Sequence, residues 1–182
     1  MKITEFLEGN KSFASRIDKG TLRELAEKGQ KPVATIVSCS DSRVPVEVIF
    51  NQLKPGMFFI IRVAGNIVSD SSVKGSIEYA VVHLKTPLLV VLGHTECGAV
   101  KARLARYNEG EIGKLVSNIK LKSQDLDKAV IENVELQVKR VTEMDCVKAA
   151  MNEKKIEVYG MLYDLSTGHV KCLSKNGTPF LL

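Results

Sequence analysis

The stretch Val-Ala-Thr-Ile-Val at residues 33–37 decides the fold, and it leads into Cys-Ser-Asp-Ser-Arg at residues 39–43. A second apolar stretch, residues 88–93, leads in the same way into His-Thr-Glu-Cys-Gly. Both stretches are short and rich in β-branched residues, which is typical of strands buried in a parallel sheet. Ligand sites of open α/β sheets lie just outside the carboxyl ends of such strands. The sequence therefore predicts two thiols, an imidazole, a carboxylate and a guanidinium at one edge of a sheet.

The segments around these strands predict an α/β fold. A strand at residues 57–63, the helix after it and the strand at 88–92 have the spacing of a right-handed βαβ unit. The longest predicted helix runs from Asp125 to about Asn152, and residues 156–163 and 169–173 predict a terminal hairpin, one arm of which joins the sheet. We expect a mostly parallel central sheet, about four parallel strands plus an antiparallel edge strand, flanked by helices.

A single domain is expected for residues 1–182, with an N-terminal helical arm at 1–29 and the α/β core at 30–182. The arm has an apolar stripe that includes Phe6 and Phe13, which fits packing on its own domain or on a second subunit. Gly9 and Asn10 interrupt the stripe and indicate two short helices. Thr21, followed by Glu three residues later, predicts the N-cap of the next helix.

Composition and charge exclude several classes of protein. The net charge is +5, and the basic residues are interleaved with acids, so no nucleic-acid surface is predicted. There is no run of about 18 apolar residues, so no membrane span is expected. The amphipathic start differs from a signal peptide, which makes the cytoplasm the expected compartment. Four cysteines in such a chain favour a metal site or catalysis over disulfides.

Cys39, His94 and Cys97 are the candidate metal ligands. Zinc accepts two thiolates and one imidazole, and three protein ligands leave a fourth position for water, the mark of a catalytic site. A strand-end cysteine is also common in an ordinary core, and His-x2-Cys alone is a weak motif. The convergence of two strand ends favours the metal site. Cys146 and Cys172 are remote in sequence and are expected to be small buried hydrophobic residues.

Asp41 and Arg43 add chemistry beside the first thiol. Asp41 could cap the following helix. Beside a zinc ion it could instead take the fourth ligand position or accept a hydrogen bond from zinc-bound hydroxide. Arg43 favours the latter state, because a bidentate guanidinium stabilises the carboxylate and draws it away from the metal. No general base for a bulky substrate is evident, so a small electrophile is indicated.

Over nearly its whole length the chain resembles the β-class carbonic anhydrases. The most specific motifs are Cys-Ser-Asp-Ser-Arg-Val-Pro at 39–45 and Gly-His-Thr-Glu-Cys-Gly-Ala-Val at 93–100, joined by Ser-Ile-Glu-Tyr-Ala-Val at 76–81. The resemblance implies one Zn²⁺ per subunit, held by Cys39, His94 and Cys97, with Asp41 and Arg43 as a gating pair. It also implies reversible hydration of CO2 to bicarbonate and a proton, a lyase reaction in which zinc hydroxide is the nucleophile.

Four further positions match substrate-binding residues of that family. Gln30 matches a glutamine that hydrogen-bonds substrate, and Phe59 and Tyr79 match aromatic residues of the apolar CO2 pocket. Gly98 matches a position whose backbone N–H can hold a bicarbonate oxygen. From the residues alone, the two rings could equally be core, and Gln30 could be a turn residue.

The resemblance has two departures and one implication for assembly. Val63 stands where many members carry Asn, and Ile36 stands where members with an inhibitory bicarbonate site carry Trp. The second departure indicates the form with water on zinc rather than the form closed by Asp41. The family implies a homodimer or a dimer-based higher oligomer, with swapped N-terminal helices and the active site near the dimer interface.

Two other functions remain open from the sequence. The same zinc site could hydrolyse carbonyl sulfide or carbon disulfide, since access and pocket shape decide the electrophile. A non-catalytic zinc-binding module, in which Asp41 permanently fills the fourth position, is the non-enzymatic alternative.

Overall fold

The computed structural model describes residues 2–180. The chain divides into two compact units, of which the first ends at Lys31 and the second begins at Pro32. The prediction that arm and core belong to one domain stays a prediction. Among residues 2–180, no helix combines the length and the apolar character that crossing a membrane requires.

The N-terminal unit contains two helices, α1 (Ile3–Arg16) and α2 (Lys19–Lys28). The predicted interruption at Gly9 and Asn10 is wrong, because an exposed helical glycine costs only about 1 kcal/mol and α1 continues through it. The predicted N-cap at Thr21 is also wrong. Asp18 caps α2 by accepting the Thr21 N–H at 2.6 Å, and an Asp carboxylate is as good a cap as a hydroxyl.

The second unit is built on one six-stranded sheet, which confirms the predicted α/β class. Its strands are β1 (Ala34–Ser38), β2 (Phe58–Arg62), β3 (Leu88–His94), β4 (Glu157–Tyr163), β5 (Val170–Lys175) and β6 (Thr178–Pro179). Their order is β2-β1-β3-β4-β5-β6. The first four strands are parallel, β5 is antiparallel to β4, and β6 is antiparallel to β5.

The helices of this unit are α3 (Val46–Ile49), α4 (Ser71–Val82), α5 (Gly98–Leu104), α6 (Gly110–Val116), α7 (Leu126–Thr142) and α8 (Asp145–Asn152). The prediction of one helix from Asp125 to about Asn152 is wrong, because Met144 adopts an extended conformation (φ −66°, ψ 130°) between α7 and α8. This break allows α8 to pack against α4, so that Val147 is buried in the same apolar cluster as Ile77. Tertiary packing overrides local helical propensity at this point.

Both faces of the central strands are covered by apolar side chains. Val37 and Val91 face one cluster, which includes residues of α4, α7 and α8, whereas Ile36 and Val90 face another. This alternation follows from the twofold period of a strand, and burial on both faces explains the continuous apolar runs. α7 approaches β3 so closely that a Cβ at Gly93 would lie 2.3 Å from Cγ2 of Val134.

Candidate metal centre

Cys39, His94 and Cys97 meet where β1 and β3 end. Ser38 pairs with Leu92 across these neighbouring strands, so Cys39 emerges beside the end of β3, and Cys97 immediately precedes α5. One donor atom from each of the three residues lies within 4.8 Å of the other two. All three residues are at most 5% exposed. This set of buried donors could hold a metal ion.

His94 is oriented as a metal ligand requires. Its Nδ1 lies 2.8 Å from the Thr95 carbonyl oxygen. Because a carbonyl only accepts, Nδ1 carries the proton and Nε2 is left with a free lone pair. Nε2 is buried and has no hydrogen-bond partner within residues 2–180. A metal ion would satisfy this otherwise costly buried acceptor, and the Nδ1 hydrogen bond would fix the ring for it.

The two sulfurs also fit a cation. The Cys97 thiol donates to the Cys39 sulfur, which lowers the pKa of Cys39 and raises the pKa of Cys97. Two buried sulfurs in contact therefore do not both ionise unless a positive charge joins them. Zinc takes thiolate and imidazole ligands together and would stabilise both sulfurs as thiolates. The donor set thus fits zinc.

The backbone around Cys39 is held by two neighbouring segments. The Gly65 N–H donates to Cys39 Sγ at 3.2 Å, from a short 3-10 turn at Ala64–Asn66. Arg62 ends the adjacent strand β2 and donates to the Cys39 carbonyl from Nε (3.2 Å) and Nη2 (3.1 Å). Its Nη2 also donates to the Asp41 carbonyl at 2.7 Å. The sequence analysis did not predict this role of Arg62, because the acceptors are backbone carbonyls that no side-chain pattern marks.

Asp41 lies beside the donor atoms but is held by Arg43. Arg43 donates from Nε to Oδ1 at 2.9 Å and from Nη2 to Oδ2 at 2.7 Å, and its backbone N–H donates to Oδ1 at 3.0 Å. The guanidinium keeps the pKa of Asp41 well below its usual value, so the carboxylate is ionised at neutral pH. Oδ2 is 3.7 Å from His94 Nε2. The helix that follows, α3, receives no side-chain cap, so Asp41 does not have the capping role.

Comparisons with known proteins identify the family of the chain. The family model described as carbonic anhydrase matches residues 34–170. A carbonic anhydrase of Pseudomonas aeruginosa is 32% identical over 172 residues, which cover 84% of this chain and 78% of that protein. Crystal structures of tetrameric β-carbonic anhydrases from Sordaria macrospora match with a TM-score of 0.85 at 28% identity, covering 94% of this chain and 96% of the other. The chain belongs to the β-class carbonic anhydrases.

Similarity to some relatives is more local. Carbonic anhydrase 2 of Mycobacterium tuberculosis is 56% identical over 84 residues, which are 46% of this chain and 40% of that protein. The match therefore covers well under two thirds of that relative.

The four predicted substrate residues of this β-class chain lie in different places. Gly98 is the first residue of α5, and a Cβ there would meet no heavy atom within 4 Å, so the space beside it is open. Phe59 and Tyr79 pack together, with ring centroids 6.1 Å apart. Phe59 pairs with Thr35 in the sheet, about 13 Å of strand before the level of Cys39. The rings are thus not beside the donor atoms of Cys39, His94 and Cys97.

The remaining candidates are Gln30 and the two other cysteines. Gln30 belongs to the N-terminal unit and follows α2, where it is exposed. Cys146 and Cys172 are outside the group formed by Cys39, His94 and Cys97. Both are partly buried, and Cys146 packs against the main apolar cluster, so the expectation of small buried hydrophobic residues is met only in part.

Proposed function

We propose that the protein catalyses the reversible reaction of CO2 and water to bicarbonate and a proton, with one Zn²⁺ per subunit held by Cys39, His94 and Cys97. One observation carries the proposal: three buried donor atoms lie within 4.8 Å of one another, beside a carboxylate that an arginine holds in a bidentate pair. Membership of the β class supports the same reaction.

Zinc with three protein ligands would supply hydroxide near neutral pH, as it does in carbonic anhydrases with three histidine ligands, where the pKa of the bound water is about 7. The protein's own contribution is to orient the reacting oxygen. An ionised Asp41 can only accept hydrogen bonds. It would therefore accept one from the attacking oxygen and so orient that oxygen toward the carbon of CO2. Arg43 keeps the carboxylate ionised, and by donating to both of its oxygens it would oppose their coordination to a bound zinc ion.

This role of Arg43 also separates catalysis from a non-catalytic zinc module. In such a module Asp41 would complete the metal's coordination, and a bidentate cation that occupies both carboxylate oxygens would oppose it.

Substrate would be held by the four matched residues. The Gly98 N–H, at the start of α5 beside open space, would bind a bicarbonate oxygen, since N–H groups at helix starts favour anions. The Phe59 and Tyr79 rings would offer an apolar wall for CO2, and Gln30 a hydrogen bond. Because the two rings lie away from the donor atoms of their own subunit, this role requires a second subunit.

A homodimer, or a higher oligomer built from dimers, is therefore part of the proposal. The side chains of Phe6 and Leu7 on α1 are each 58% exposed, an apolar surface that fits a second subunit. The Sordaria macrospora neighbours are described as tetrameric. Light scattering should give a mass of two or four times the 20.0 kDa of one chain. The cytoplasm remains the proposed compartment.

Stopped-flow CO2 hydration with a pH indicator, between about pH 7 and 9, tests the function. The zinc-loaded protein should be active, Cys97→Ser should lose both zinc and activity, and Cys172→Ser is the matched control that should keep both. If the zinc-loaded protein is inactive over this range, the proposed reaction is wrong. Measuring sulfide release from carbonyl sulfide and carbon disulfide with the same preparation identifies the preferred electrophile.

A further inference from the structure

Two buried amide side chains, Asn133 and Gln137, lie on an otherwise apolar face of α7. Asn133 is 1% exposed and Gln137 is fully buried, while their neighbours Val134, Val138 and Val141 belong to the main apolar cluster. Burying an amide is unfavourable unless its hydrogen bonds are made. Valine or leucine would fill such positions at lower cost. These two amides therefore point to a requirement other than core packing.

The amides form one chain of hydrogen bonds along the helix. Gln137 Nε2 donates to Asn133 Oδ1 at 2.9 Å, the separation that i and i+4 side chains on a helix can bridge. Gln137 Oε1 accepts from the Val68 N–H at 2.9 Å and from Arg140 Nη1 at 3.1 Å. Because the Oδ1 atom of Asn133 accepts from Gln137, its Nδ2 group is left to donate to another partner.

Asn133 directs that donor to the turn beside the first metal ligand. Its Nδ2 donates to the Gly65 carbonyl at 2.9 Å. Gly65 in turn donates its own N–H to Cys39 Sγ. Gly65 has φ +71°, in the region that favours glycine, and a Cβ there would lie 3.0 Å from the Ala99 Cβ. Glycine has the freest backbone of any residue, so the orientation of the Gly65 backbone depends on what holds the Gly65 carbonyl.

We propose that Asn133 and Gln137 are positioning residues that hold the Gly65 N–H on the Cys39 sulfur and thereby set the metal affinity of the centre. An N–H donor to a metal-bound thiolate draws charge from the sulfur and fixes its direction. Outer partners of metal ligands typically change affinity or activity by about 10- to 100-fold when removed. The inference rests on the metal centre proposed above but does not depend on which substrate it hydrates.

The test uses near-isosteric variants that remove the amides. Asn133→Leu deletes the donor to Gly65, and Gln137→Met deletes the support behind it. Val141→Ala is the matched control, a change of a buried residue on the same helix that removes no hydrogen-bonding group. Zinc affinity is measured by chelator competition. The sulfur-to-metal absorption of the Co²⁺-loaded protein is recorded with folding checked by circular dichroism.

Asn133→Leu should bind zinc about 10- to 100-fold more weakly, because the Cys39 sulfur is no longer held in the direction of the metal. It should also shift the Co²⁺–sulfur absorption to longer wavelength, because a sulfur without the N–H donor gives up charge more easily. Val141→Ala should stay within about twofold of the parent and leave the spectrum unchanged. The double variant Asn133→Leu/Gln137→Met should be no weaker than Asn133→Leu alone, since the chain of hydrogen bonds is already cut.

Unchanged affinity and spectrum in Asn133→Leu would overturn the inference, as would the same changes in Val141→Ala. If Asn133→Leu does not fold, Gln137→Met decides by the same two readouts. Both readouts are independent of CO2. If Asn133→Leu shows the spectral shift but the zinc-loaded parent protein hydrates no CO2, only the proposed function is contradicted. If the parent protein is active but Asn133→Leu shows no shift, only this inference is contradicted.

Discussion

Replacing Gly93 with alanine tests how closely α7 approaches the strand that carries His94. The new Cβ would lie 2.3 Å from Val134 Cγ2, whereas carbon atoms in contact are about 3.5–4.0 Å apart. Val134 is fully buried, and a β-branched side chain in a helix has one strongly preferred rotamer, so it cannot rotate away. Strand or helix must therefore move by about 1 Å or more. Overpacking of this kind costs about 1–3 kcal/mol, and the rigid neighbour places Gly93→Ala in the upper half of that range.

Urea unfolding measures the effect. With a slope of about 2 kcal/mol per molar urea, a loss of about 2–3 kcal/mol lowers the midpoint by about 1–1.5 M. Gly75→Ala is the matched control, because that helical glycine has no heavy atom within 4 Å of an added Cβ. It should raise the free energy of unfolding by up to about 1 kcal/mol, since alanine is the better helix former.

A double-mutant cycle decides whether Val134 is the cause. In the Val134→Ala background the obstructing methyl is gone, so Gly93→Ala should cost less than about 0.5 kcal/mol, a coupling of about 2 kcal/mol. Equal costs in both backgrounds would refute the packing explanation for glycine at position 93.

Three further predictions concern the metal centre. Arg43→Ala should release Asp41 toward the metal and lower kcat/KM by about 10- to 100-fold while zinc content by atomic absorption stays near one per chain; an equal loss of zinc and activity would instead indicate a structural role. Arg62→Gln should weaken zinc retention against a chelator, because glutamine cannot replace the three hydrogen bonds to the Cys39 and Asp41 carbonyls, and retention equal to the parent's would contradict this role. Removing zinc by dialysis should lower the Tm in calorimetry, since a ligand bound only by the folded state stabilises it, and an unchanged Tm would argue against metal bound in the native protein.

The location of the donor atoms could be predicted from the sequence, because Cys39 and His94 each stand where a continuous apolar run ends. Neighbouring parallel strands bring such ends together, and this required no knowledge of side-chain contacts. The role of Arg62 could not be predicted in this way. Its acceptors are backbone carbonyls 21 and 23 residues away, and every residue has a carbonyl, so no side-chain pattern marks them.

The role of Asn133 and Gln137 could not be predicted for the same reason, because their partners are also backbone groups. The helical pattern is carried by the valines beside them, while the partners of the amides are the backbone groups of Gly65 and Val68, more than 60 residues earlier. The break at Met144 has no Gly or Pro to signal it. The break between α7 and α8 allows α8 to pack against α4. This contact forms only in the folded chain, so local sequence does not predict it.

The spacing of the three ligands along the chain has a consequence for biogenesis. His94 and Cys97 are three positions apart in the sequence, whereas Cys39 and His94 are 55 positions apart. Closing the longer loop in an unordered chain costs about 2.6 kcal/mol more than closing the shorter one. In the proposed zinc site, the local pair would capture the metal only loosely during synthesis, and Cys39 would reach it only when β1 and β3 have paired. Tight metal uptake should therefore report completion of the central sheet, and its rate offers a direct measure of how fast this chain folds.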